Sequence, residues 1–252
     1  MGNYAELQTR VNRRVIDLPS AVVAEVPQLV NVALTKLQEK HNFRVMESEL
    51  AAFTSVGTHP LLQSVGGATI TIPSSPAINF KEWRGEPWFL NYIEGSPRFM
   101  SWAASREAVW GMFVQGGAVT FDQSYPQVIV EEPGDDNNNR TLSVYPIPDG
   151  ASDWPDGEYR ITLPYYRYLA PLVNSGDSNW LTNQPSGEEF IIRWATAEAH
   201  ALNWDFQKYG VLAAQAEIHY KDVVTADKRY RLGPVREFVP HWRGVHSAKT
   251  RI

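Results

Sequence analysis

Ser186-Gly-Glu-Glu-Phe-Ile-Ile-Arg-Trp-Ala-Thr-Ala-Glu-Ala-His-Ala-Leu-Asn-Trp-Asp-Phe-Gln-Lys-Tyr-Gly210 is the stretch on which the fold turns. Its pattern predicts an amphipathic helix from Gly187 to Tyr209, with Ser186 as N-cap and Gly210 as the stop. A second helix follows at once, from Val211 to Leu232. Leu212, Ala216, His219, Val223, Ala226 and Tyr230 recur there at spacings of three and four. Gly233-Pro234 ends it. Beyond lies Val235-Arg-Glu-Phe-Val-Pro-His-Trp-Arg-Gly-Val-His-Ser-Ala-Lys-Thr-Arg-Ile252, aromatic and basic, with neither helical nor strand periodicity. Such a segment is too short to bury its own Phe238, Val239 and Trp242. Either these hang in water, as terminal segments often do, or they dock on something else. Docking is the expectation, with Arg236, Phe238, Val239, Trp242, Arg243, His246, Lys249 and Arg251 as the contact residues of an extended arm.

The other end of the chain also reads as helical. Tyr4, Leu7, Val11, Val15 and Leu18 share one face of a first helix that Pro19 ends. A second starts near Pro27, since proline is tolerated at the first helical position, and carries Leu29, Val30, Ala33, Leu34 and Leu37 as far as Lys40-His41-Asn42. Each has one apolar face and needs a partner to cover it. The two C-terminal helices are the obvious candidates.

Between these ends the texture changes to short alternating segments: Ala68-Thr-Ile-Thr-Ile-Pro, Gln127-Val-Ile-Val-Glu, Thr141-Leu-Ser-Val-Tyr and Glu158-Tyr-Arg-Ile-Thr-Leu. Pro133-Gly-Asp-Asp-Asn-Asn-Asn139 and Pro148-Asp-Gly150 separate them as turns, and a short helix fits Ser105 to Phe113. Helices and strands kept in separate runs mean an α+β fold. The expected division is a helical body from residues 1–44 and 180–233, a β-rich insertion over 45–179, and the arm over 234–252.

The totals limit the function. A chain of 252 residues with 43% hydrophobic residues folds into a real core. A net charge of −5 argues against a dedicated nucleic-acid binder. The absence of cysteine excludes disulfides, a thiol nucleophile and thiolate metal sites. No apolar run approaches the ~20 residues a bilayer crossing needs, and the N-terminus lacks the pattern of a leader, so no membrane association is expected.

The motifs of nucleotide-binding loops, serine hydrolases and zinc proteases do not occur, and no catalytic residue, cofactor or metal is expected. Gly66-Gly67 and Gly116-Gly117 read as turns. His41, His59, His200 and His219 are scattered, while His241 and His246 share the arm with only Glu237 to complete a metal site. Asp135-Asp136 reads as a solvated hairpin tip, and Glu188-Glu189 as first-turn acids complementing a helix dipole. The acids give no pairing that marks a glycosidase cleft. Trp83, Trp88, Trp102 and Trp110, with Tyr165-Tyr-Arg-Tyr168, read as core or subunit interface, a surface that stacks on sugar rings being the alternative.

Three stretches carry a resemblance. The first is Tyr4-Ala-Glu-Leu, followed by Glu25-Val-Pro-Gln-Leu-Val-Asn-Val-Ala-Leu34 and Glu39-Lys-His-Asn42. The second is Tyr165-Tyr-Arg-Tyr-Leu-Ala-Pro-Leu172 with Asp177-Ser-Asn-Trp-Leu-Thr182. The third is Ala197-Glu-Ala-His-Ala-Leu202 with Tyr209, Ala213-Ala-Gln-Ala216 and Asp227-Lys-Arg. In this order of parts the chain resembles the head-to-tail adaptor proteins of tailed phages, a group that includes the tail tubular protein A family. The likeness covers both ends and leaves His59 to Pro155 unmatched. It implies a structural virion protein, folded in the host cytoplasm and then seated in a dodecameric ring under the portal. Its partners would be the portal protein, which the arm would clasp, neighbouring copies of itself, tail or nozzle proteins, and passing genomic DNA bound without specificity. The alternative is a virion module whose β-rich part binds host glycans.

Overall fold

The computed structural model describes residues 2–54, 68–72, 79–91, 96–105, 107–109, 114–115, 118–119, 126–132, 140–145 and 159–232. The arm from Pro234 onward lies outside them, as do His59, Trp110, Gly66-Gly67, Gly116-Gly117 and the Pro133–Asn139 and Pro148–Gly150 turns. Helices occupy both ends and strands the middle, so the fold is α+β as the sequence predicts. Among the described residues the chain divides into two units, 2–45 with 171–232, and 46–170.

In the helical unit, α1 (Tyr4–Arg14) begins at a capping box in which Asn3 Oδ1 accepts from the Glu6 amide and Glu6 Oε2 from the Asn3 amide. Tyr4, Leu7 and Val11 form its buried stripe. After Pro19 the chain makes a short extra helix that periodicity did not separate, α2 (Ser20–Ala24), before α3 (Val26–Lys40). Pro27 sits in the first turn of α3, where its missing N–H is harmless. The chain returns through α4 (Trp180–Asn183), α5 (Pro185–Leu202) and α6 (Phe206–Leu232). Helices α1, α3, α4 and α6 all pack on α5. Being covered from several directions, α5 buries Phe190, Ile191 and Ile192 in succession.

Two sequence expectations fail here. The break between the last two helices falls at Asn203–Asp205, and Gly210 lies inside α6. Asp205 sets that boundary by capping α6, its Oδ1 accepting from the Lys208 amide at 3.1 Å. The N-cap of α5 is Gln184 with Pro185 at the first helical position, so Ser186 caps nothing. Residues 171–179 group with the helical unit. Asn31 on α3 clips Leu172 through both its backbone N–H (2.8 Å) and C=O (3.0 Å), and the Tyr4 amide donates to the Asp177 carbonyl at 2.9 Å.

The second unit is two sheets around one core. One sheet joins β1 (Glu47–Thr54), β11 (Tyr159–Arg167), β4 (Trp88–Asn91) and β5 (Ser96–Phe99) in that order, with β3 (Phe80–Trp83) also on β11. The other runs β2 (Ala68–Ile72), β10 (Arg140–Tyr145), β9 (Val128–Glu132), β6 (Ser101–Ala103), and its β6–β9 pair is parallel. A hairpin of β7 (Val114–Gln115) and β8 (Ala118–Val119) stands apart. Phe89, Ile161 and Leu163 from the first sheet pack with Ile129, Leu142 and Val144 from the second. Val128, Val130 and Tyr145 bury the opposite face of the second sheet with Val109. The four alternating segments read from sequence are β2, β9, β10 and β11, and residues 107–109 are helical where a short helix was expected.

Candidate assembly surface

Charged clamps between helices lock the helical unit. Arg10 on α1 spans two successive acids near the start of α5, pairing with Glu188 and Glu189, while Arg14 and Arg193 also reach Glu189 at 3.4 and 3.5 Å. The Glu188-Glu189 pair read as simple dipole partners is therefore also the clamp holding α1 to α5. Burial pushes the Glu189 carboxyl up, yet Arg14 and Arg10 outweigh it and the net direction is down.

At the far end of α3, Lys40 pairs with Glu217 on α6 and lies over the Trp194 and Tyr220 rings at 5.2 and 5.5 Å. The Tyr220 hydroxyl donates to the Lys40 carbonyl at 2.9 Å, and its pKa is raised by burial and then by Glu217. Next to it Asp227, only 1% exposed, accepts from the Arg44 amide at 2.9 Å and meets His41 Nε2 at 3.1 Å. A cavity of about 320 Å³ adjoins, lined by Arg44, Val45, Trp180 and Asp227. The quoted signature residues thus do structural work: Tyr4, Asn31, Asp177, Asn179, Thr182 and Asp227 all hold backbone. Asp177 accepts from the Asn174 and Val173 amides, which depresses its pKa.

The opposite end of the α5–α6 hairpin is exposed and apolar. Leu202, Trp204, Phe206 and Val211 are 52%, 81%, 60% and 56% exposed. Trp204 occupies the left-handed region, with φ of +60°. A glycine or asparagine is the usual occupant after a helix C-cap, and a bulky residue there costs about 1–2 kcal/mol. Behind the turn an open groove of about 900 Å³ is floored by Val15, Leu18, Thr196 and His200 and edged by Arg14, Asp17 and Lys208. The His200 imidazole is buried with Nδ1 3.5 Å from Asp205 Oδ2, and Asp205 is held below its ordinary pKa by the Lys208 amide first of all. Sequence reading missed this surface because a helix drawn through to Tyr209 hides the turn. The signal was four bulky apolar residues around Asn203 and Asp205.

The chain belongs to the SU10 adaptor protein family. The family model matches residues 2–236, through the middle segment that the resemblance had left unmatched and up to the start of the arm, so Glu237 to Ile252 lie beyond the match. No curated protein matches the chain. An adaptor of this family is a phage structural protein, a component of the virion that associates with portal and tail parts.

Of the sequence-predicted arm residues, Arg236 to Arg251 all lie outside the described residues. Among the described residues no cluster of three His, Cys, Asp or Glu side chains could hold a metal ion, and no helix is long and apolar enough to cross a membrane. Of the adaptor's tryptophans, Trp83 and Trp102 pack on the core of the two-sheet unit with ring centroids 5.2 Å apart. Their indole N–H groups donate to Glu131 Oε2 (3.0 Å) and the Gly85 carbonyl (2.8 Å), as the core reading expects.

Proposed function

We propose that this adaptor forms a ring beneath the portal, joins head to tail, and gives the packaged genome part of its exit channel. The helical unit is the ring's body and the β-rich unit an insertion carried on it. The arm, residues 234–252, grips the portal. The observation that carries this reading is family membership along almost the whole chain, combined with the composition of the arm. The arm has four basic side chains against one acid, a balance of +3, on a chain whose total is −5. Phe238, Val239 and Trp242 are the anchors whose desolvation supplies affinity, and Arg236, Arg243, Lys249 and Arg251 steer the approach to an acidic partner. An acidic body suits a conduit, because each cation turned toward phosphate adds counterion-release attraction and drag on the passing DNA.

The test is truncation after Gly233. The shortened chain should keep its helical circular dichroism and melting temperature yet fail to co-sediment with portal rings. Normal joining of the truncated chain would refute the role of the arm.

A further inference from the structure

The α5–α6 turn combines two features that nothing within the described residues rewards. Trp204 holds a backbone conformation that disfavours a bulky side chain, and it leaves most of its indole in water. Its ring contact is edge-on with Phe206, itself exposed, at 6.0 Å. Strain and apolar exposure coinciding at one residue point to a partner surface rather than to the stability of the free chain. Along the groove the apolar exposure continues on the other wall, where Ile16 is 75% exposed between the groove residues Val15 and Asp17.

We propose that Trp204, with Phe206 beside it, anchors the contact between neighbouring copies by seating in the groove of the next copy. This rests on the ring reading above and names the residues that close the ring. Three observations select a second copy as the occupant. The groove, about 900 Å³, has room for both rings, and its floor of Val15, Leu18 and Thr196 is suited to them. Arg14 and Lys208 at its edge can lie over an aromatic face. Leu202, Trp204 and Phe206 of one copy and Ile16 and Val211 of the next together expose roughly 600 Å², over a third of the ~1,600 Å² total that a standard stable interface buries.

The experiment uses the full chain mixed with portal rings of the same phage, read by mass photometry and electron microscopy. Trp204→Asn relieves the left-handed strain without loosening the unfolded chain, so its melting temperature should equal or exceed that of the parent. The parent should fill rings, and the variant should need about 30-fold more protein per interface to do so. A second measurement exploits the absence of cysteine. Copies bearing Asp17→Cys mixed with copies bearing Leu202→Cys should cross-link as dimers in the assembled ring. The proposal is overturned if Trp204→Asn melts several degrees lower, since the indole then serves its own fold. It is overturned equally if the variant fills rings like the parent, or if the mixed cysteines do not cross-link. Ring filling by both proteins would sink this contact alone. Failure of the parent to form rings would sink the ring reading with it.

Discussion

Adding one methyl group to each of two glycines in the helical unit should move its stability in opposite directions. Glycine in a helix interior is disfavoured by about 0.5–1 kcal/mol relative to alanine. At Gly210, inside α6, an added Cβ meets nothing within 4 Å, so Gly210→Ala should realise that gain. At Gly187 the same atom would stand 2.1 Å from the Leu181 carbonyl oxygen, more than an ångström inside normal contact. That oxygen is backbone and cannot swing aside, so α4 and α5 must separate. Overpacking of this kind costs about 1–3 kcal/mol, exceeding the propensity gain. For a chain of this size 1 kcal/mol corresponds to about 2–4 °C. Gly210→Ala should therefore melt ~1–4 °C higher and Gly187→Ala ~2–8 °C lower, followed by circular dichroism at 222 nm. A gain at Gly187 would refute the α4–α5 close approach. A loss at Gly210 would restore that residue as the helix stop which the sequence alone suggested.

Three further outcomes follow from the clamps. Arg10→Ala should cost about 1 kcal/mol, a modest figure for a partly exposed guanidinium, and the difference from the parent should shrink in molar salt; a difference indifferent to salt would mean the pairs contribute nothing. Asp227→Ala removes the carboxylate that accepts from the Arg44 amide and should cost about 1–3 kcal/mol in chemical denaturation, whereas Asp227→Asn keeps an acceptor and should cost less than half of that; equal losses would show that the backbone bond is immaterial. Asp177, Glu189 and Asp205 all have carboxyl groups below their ordinary values of 3.8, 4.5 and 3.8. A depressed folded-state pKa stabilises above the unfolded pKa and is lost as pH falls through the folded one. Melting temperature should accordingly be insensitive to these groups near neutrality and fall below about pH 4.5, and replacing Glu189 by Gln should flatten that fall.

Much of the plan was legible in the sequence for a simple reason: burial of one face leaves a period. Tyr4-Leu7-Val11 and the Leu29–Leu37 stripe declare helices at the N-terminus, and Ile70, Ile129 and Leu142 sit on strands announced by alternation. The α+β order and the adaptor family were within reach of that reading. Periodicity is silent about ends and about which neighbours meet. The α5–α6 boundary depends on Asp205 capping α6 and on a left-handed Trp204, neither of which alters the spacing of apolar residues. β1 escaped notice although eight of its residues pair with β11, because its sequence does not alternate and its partner is more than a hundred residues away. Glu188-Glu189 had a sufficient local explanation, and only the arrival of Arg10 from α1 made them a clamp. What the sequence determined by itself was each segment's local preference and its total apolar content, properties carried by nearest neighbours. What tertiary structure alone decided was which charges pair and which aromatics stay uncovered, because both depend on distances between residues far apart in the chain.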